Sequence, residues 1–184
     1  HLKKKSDQAI KDLDQAIALN PDFSKAYIIR GNVYNDRKDY TRALADCSAA
    51  IAIRPADSLA YYSRGLVYQA QKKYDQAISY YSNALILNQS NPEIYNKLGV
   101  VFYSQHAFEQ ARKKFETAVR LNPKYDEAYY NLGLVDSKQG KINEAIMSYQ
   151  KVITLKPDHA DAHKSLGDAL FSIGNLVQAY NHYS

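Results

Sequence analysis

Tryptophan is absent from this 184-residue chain, and cysteine and methionine occur once each. A lone Cys47 excludes an internal disulfide framework and any paired-cysteine metal or redox site. No apolar run reaches the roughly 18–20 residues of a membrane-spanning helix, so membrane insertion is not expected. The charge is only weakly one-sided: 24 Lys and Arg against 19 Asp and Glu give a formal +5. The basic residues are scattered rather than massed, which argues against a nucleic-acid partner. Also missing are HExxH, a P-loop, G-x-S-x-G and any Gly-rich turn after a strand, so no cofactor, no metal and no catalytic residue is expected. What is plentiful is tyrosine, with 17 copies, in a chain that is 46% hydrophobic and able to bury a continuous core. The chain opens at "HLKKK" and stops at "NHYS" inside a helical pattern, so a piece of a longer protein is expected.

The seven glycines are few, yet five share one period. Gly31, Gly65, Gly99, Gly133 and Gly167 stand 34 residues apart. Four residues before each lies Tyr27, Tyr61, Tyr95, Tyr129 and then His163. Twelve after each comes Ala43, Ala77, Ala111, Ala145 or Ala179, and four further on Cys47, Tyr81, Phe115, Tyr149 or Tyr183. Pro55, Pro123 and Pro157 close three of the units; the second carries Gln89 instead and places Pro92 three residues later, behind Asn91. A glycine inside a helix costs about 1 kcal/mol relative to alanine. A regular recurrence of that cost implies a packing reason: two helices of each unit approach closely at these small positions, and large side chains fill the space around them. Helix A of the first unit is expected over roughly Ser24–Arg37 and helix B over Tyr40–Ile53, with Gly140 and Gly174 in the turns between such helices.

The aromatic-x2-L-G-x2-Y, A-x3-F and P pattern resembles the tetratricopeptide (TPR) repeat. That resemblance implies an all-α, right-handed superhelical solenoid of antiparallel helix pairs, about eleven helices long. Residues 1–23 would hold the second helix of a preceding, truncated repeat, 24–57, 58–91, 92–125 and 126–159 four repeats, and 160–184 part of a fifth. It also implies a peptide-binding groove lined by A helices. The positions carried over are Ile28, Asn32, Asn35, Leu59, Tyr62, Leu66, Gln69, Asn96, Lys97, Val100, Tyr103, Tyr130, Asn131 and Leu134, with Lys164, Asp168 and Phe171 in the fifth unit. Some members of the family clamp the carboxylate tail of heat-shock chaperones through Lys, Asn and Arg; no register of this chain supplies that cationic set, and this use is excluded. Units such as "LNPKYDEAYYNLGLV" are also similar to the repeat array of the O-linked N-acetylglucosamine transferase, where asparagines form a ladder. The matching positions here read Ile29, Ser63, Lys97, Asn131 and Ser165.

The resemblance therefore implies a non-catalytic scaffold whose partner is a protein or peptide, an extended peptide or a helix. The alternative is the substrate-recruiting array of a larger enzyme such as a glycosyltransferase. An RNA-binding reading would rest on Arg37, Lys38, Lys72, Lys73, Lys138 and Lys141 in the turns, which read instead as solvated charges. A cytoplasmic location is the expectation, as is end-to-end self-association through apolar surface near Ala179, Tyr180 and Tyr183. Among the departures from the repeat, Arg30 and Arg64 replace a leucine, and Asp46 is the expected carboxylate for one or both. Asp136 falls in an aromatic slot and should either reach solvent beside Val135 or accept a tyrosine hydroxyl. His159 and His163, with Asp158 and Asp161 nearby, read as a solvated helix start rather than a metal site, and Cys47 as a small buried hydrophobe.

Overall fold

The computed structural model describes residues 2–183, with side chains described for 5–182. Among the described residues it is all helix and turn: α1 Leu2–Leu19, α2 Ser24–Asp36, α3 Tyr40–Ile53, α4 Ser58–Ala70, α5 Tyr74–Leu87, α6 Pro92–Ser104, α7 Phe108–Leu121, α8 Asp126–Lys138, α9 Ile142–Leu155, α10 Ala160–Ser172 and α11 Leu176–Tyr183. Two compact units divide the chain, one over His1–Ser90 and one over Asn91–Ser184. Helix α2 ends at Asp36, one residue short of the sequence expectation, because Arg37 is already the C-cap.

Five helices end in the same way. Lys38, Lys72, His106, Gly140 and Gly174 all have φ between 58° and 80°, the left-handed region. The next residue donates back to a carbonyl five positions earlier, as in Asp39 N–H to Tyr34, Lys73 to Tyr68, Ala107 to Phe102, Lys141 to Asp136 and Asn175 to Leu170. This is the Schellman arrangement, which satisfies carbonyls that a helix end would otherwise leave unpaired. Two of the five positions hold glycine, which takes that conformation without strain; three hold lysine or histidine and bear the cost. At the other ends, Asp39, Asp57 and Asn91 accept backbone N–H groups at the starts of α3, α4 and α6, and Pro92 opens α6 where its missing N–H costs nothing.

The periodic glycines meet side chains of the following helix. A Cβ added at Gly65 would lie 2.5 Å from the ring of Tyr81, at Gly99 2.5 Å from Phe115, and at Gly133 2.5 Å from Tyr149. Each aromatic ring thus approaches, through its Cδ1–Cε1 side, a backbone with no side chain to hold it off. At Gly31 the ring is replaced by Cys47, and the nearest atoms are Ala43 O and Asp46 Cβ, both at 3.3 Å. Gly167 is buried in α10, and its sixteenth-residue counterpart, Tyr183, has a side chain outside the described residues. The alanines at positions 43, 77, 111 and 145 are fully buried, and Ala179 nearly so. In the first unit Tyr34, Ala43, Cys47 and Val67 form one cluster, and Ile28, Ala50 and Ala60 another. In the second, Phe115, Leu132 and Val135 gather around Ala111, while Tyr149, Leu166, Ala169 and Leu170 gather around Ala145 and Ala179.

Two ion pairs sit in this packing. Arg30 grips Asp46 with two parallel bonds, Nε to Oδ2 at 2.8 Å and Nη2 to Oδ1 at 2.6 Å, and reaches Asp14 of α1 with its third nitrogen. The paired carboxylates push the Arg30 guanidinium further toward its charged form. Arg64 does not share Asp46: it lies over the ring of Tyr80, 4.6 Å from its centroid, because Tyr80 takes the place that Asp46 holds 34 residues earlier. Asp136 meets neither sequence expectation. It is 1% exposed and accepts from Arg112 Nε of α7 at 2.7 Å. A buried carboxylate needs a charged donor, and α7 supplies one where other periods carry Leu44, Ile78 or Ile146.

Candidate functional site

The residues carried over as groove-lining lie on α2, α4, α6, α8 and α10, and the two units treat them differently. In the first unit Ile28 is 1% exposed, packed against Ala50 and Ala60, and lines no surface. Its place in the sequence pattern is one where later units carry Tyr62, Asn96 and Tyr130, but an apolar side chain there sinks into the helix pair. Asn32 and Asn35 are half-buried, and the carboxamide oxygen of each is shielded with no hydrogen-bond partner. Leu59 is exposed, and Leu66 and Tyr62 are half-buried, with Tyr62 tilted against the buried Tyr81 at 5.8 Å. Gln69 accepts the Tyr81 hydroxyl, so its carbonyl is already in use. Burial pushes that hydroxyl well above the ordinary range and keeps it a donor.

The second unit joins its polar groups into a network. Asn96 is fully buried, against expectation, and donates to the Tyr125 hydroxyl at 3.2 Å and to Glu127 at 3.0 Å. Its own oxygen accepts from Asn131 at 2.9 Å. Lys97 pairs with the same Glu127 oxygen at 3.1 Å. Asn96 is therefore a strut between α6 and α8 rather than a ligand-facing group, and Asn131 is held in orientation by it. The hydroxyl of Tyr125, half-buried beside Glu127, is pushed up to about 12 by desolvation and by that neighbouring carboxylate. Val100 and Tyr103 are half-buried, with Tyr103 against Phe108 at 5.5 Å. Tyr130 packs on Tyr149 at 5.9 Å and on His159 at 5.2 Å, with its hydroxyl 3.5 Å from Ser165.

Leu134 leads into a cleft of about 280 Å³ between α8, α9 and α10. Leu134, Ile142, Ala169 and the ring of Tyr149 give it an apolar floor; Ser137, Ser165 and Ser172 give hydroxyls at the rim, and Lys138 and Asp168 one charge of each sign. Sequence reasoning named Leu134 and Asp168 but missed Ile142 and Tyr149, which come from α9. Period alone gives the face of a helix, not which B-helix residues show between two A helices. A wider depression of about 540 Å³ covers only the turn at 53–58 and draws on no second pair of helices. Among the described residues no three His, Cys, Asp or Glu side chains gather as a metal site. No helix among them is long and apolar enough to cross a membrane. Near the end of α11 Tyr180 is 72% exposed and Val177 77%, while Ala179 is 1% exposed and faces the α10 packing, as its small-residue position implies.

Family models described as tetratricopeptide repeats match residues 4–58 and 58–91, and one described as a TPR repeat matches 101–140 and 133–174. No curated protein matches the chain. Among solved structures, that of pilF from Pseudomonas aeruginosa is similar at 25% identity and a TM-score of 0.82, over 87% of this chain and 73% of that one. YrrB, described as a TPR protein with an unusual peptide-binding site, is similar at 26% identity and 0.72, over 92% and 88%. MamA is similar at 25% identity and 0.76, over 83% and 90%.

Proposed function

Because the chain belongs to the tetratricopeptide-repeat family, a family of protein-interaction scaffolds, we propose that it binds an extended segment of another protein against its A-helix faces. The cleft between α8 and α10 carries this reading. Its apolar floor of Leu134, Ile142, Ala169 and Tyr149 suits an apolar side chain of a peptide. The surrounding hydroxyls can pair with either half of a peptide group, and Asn131, steered by Asn96, offers a pre-oriented amide on the same face. Pre-orientation lowers the entropic cost of binding. The peptide-binding site described for YrrB supports the class of ligand without fixing its sequence. The role is non-catalytic.

A display library of unstructured peptides, panned against the chain and against a Ser137→Arg, Asp168→Lys variant, tests the site. Both replaced residues are exposed rim positions, so folding is preserved. Enrichment of peptides with a shared apolar anchor, lost in the variant, is the expected result. Equal enrichment by both proteins excludes the cleft.

A further inference from the structure

The fifth period differs from the other four at two positions that face each other. The slot held by Tyr27, Tyr61, Tyr95 and Tyr129 becomes His163, and the slot nineteen residues later, held by Asp46, Tyr80, Lys114 and Ser148, becomes His182. His163 Nε2 lies 2.8 Å from the carbonyl oxygen of Pro157. A carbonyl only accepts, so Nε2 carries the proton, and the neutral ring presents the lone pair of Nδ1. That lone pair accepts the Nδ1–H of His182 on α11 at 3.1 Å, so a cation would take the place of this one shared proton, with His182 then carrying its own on Nε2. Two imidazoles bound to one tetrahedral cation at about 2.0–2.1 Å hold their nitrogens roughly 3.3 Å apart. A small ring rotation separates the two arrangements. The Pro157 carbonyl supplies the backbone acceptor that fixes the tautomer and orientation of a ligating histidine. Both rings are half-buried and so remain open to water on one side.

We propose that His163 and His182 form a two-histidine site for a borderline divalent cation such as Zn²⁺, which clasps α11 to α10. His159, four residues before His163, takes no part. Its Nδ1 accepts the Ala162 N–H that starts α10, and its ring lies on Tyr130. No third His, Cys, Asp or Glu joins the pair among the described residues, so water completes the coordination. Such a site is open and of modest affinity, suited to fastening a helix rather than to permanent retention of metal.

Titration of the whole chain with Zn²⁺, followed by calorimetry and by histidine-ring NMR, tests the assignment. His163→Tyr restores the residue of the other four periods and His182→Ser that of position 148, so both variants keep a side chain already accommodated at that place. The expected result is saturable binding of one Zn²⁺ per chain, perturbation of both ring signals, and a loss of affinity of about tenfold or more in each variant. Slower amide exchange in α11 on adding Zn²⁺ accompanies it. Binding unchanged in both variants, binding abolished instead by His159→Asn, or no saturable binding at all would overturn the proposal.

Discussion

The unequal surroundings of the periodic glycines give a sharp test of what they do. A methyl group at Gly99 would stand 2.5, 2.7 and 2.8 Å from three ring atoms of Phe115, distances at which something must move. Phe115 is 1% exposed and enclosed by Ala111, Leu132 and Val135, so the ring has nowhere to retreat. Overpacking of this kind costs about 1–3 kcal/mol, against which alanine returns about 1 kcal/mol of helix propensity. Gly99→Ala is therefore expected to destabilise by up to about 2 kcal/mol. At Gly31 the same methyl meets nothing closer than 3.3 Å, and Gly31→Ala should fall within about 0.5 kcal/mol of neutral. Phe115→Cys copies the Gly31–Cys47 pair into the second unit. In that background Gly99→Ala should lose its penalty, giving a coupling of about 1–3 kcal/mol in a double-mutant cycle. Urea unfolding followed by circular dichroism measures all four corners of the cycle. A coupling within about 0.5 kcal/mol of zero would refute the idea that the ring over the glycine sets the helix spacing.

Three further outcomes follow from the same packing. Lys38→Gly, Lys72→Gly and His106→Gly relieve left-handed backbone and should each stabilise by about 1 kcal/mol, while Gly140→Lys should cost a similar amount, read as shifts in thermal midpoint. Arg112→Ile strands the buried Asp136 and should cost about 3–5 kcal/mol; Asp136→Leu leaves Arg112 its bond to Glu116 and should cost less, and the double variant should recover most of the loss in urea midpoint. Burial pushes the Cys47 thiol from 9.0 up to about 12. Its folded pKa exceeds its unfolded one, so its contribution to stability is complete below pH 9 and is lost as pH rises toward 12. Iodoacetamide at pH 8 should accordingly leave the native chain unmodified and label it only in denaturant.

Much of the fold could be read directly, because a glycine inside a helix is costly enough to be informative and five at one interval fix a repeat. The bidentate Arg30–Asp46 pair was legible for a similar reason: a cation in a leucine slot demands an anion, and Asp46 was the neighbour at hand. Arg64 was not, since its partner is the face of a tyrosine, and tyrosines here are too common to single out. Asp136 was misjudged because its donor lies on the helix before it, outside the period in which it was sought. The A-helix faces were half legible. The family resemblance put Leu134, Asn131, Ile28 and Asn96 on one face, yet it could not tell that Ile28 and Asn96 turn inward. That depends on what the neighbouring helix offers, an apolar pair of alanines in one case and Tyr125 with Glu127 in the other.

The two buried ion pairs also differ in what they permit. Arg30 and Asp46 both lie within residues 24–57, and the further bond to Asp14 is to a half-exposed carboxylate. That segment could be moved or duplicated as a cassette and carry its charges with it. Arg112 and Asp136 come from successive periods, so any rearrangement that parts them leaves a lone anion in the interior. One stretch of the array is thus modular, while the other has a fixed order of neighbours enforced by a single bond.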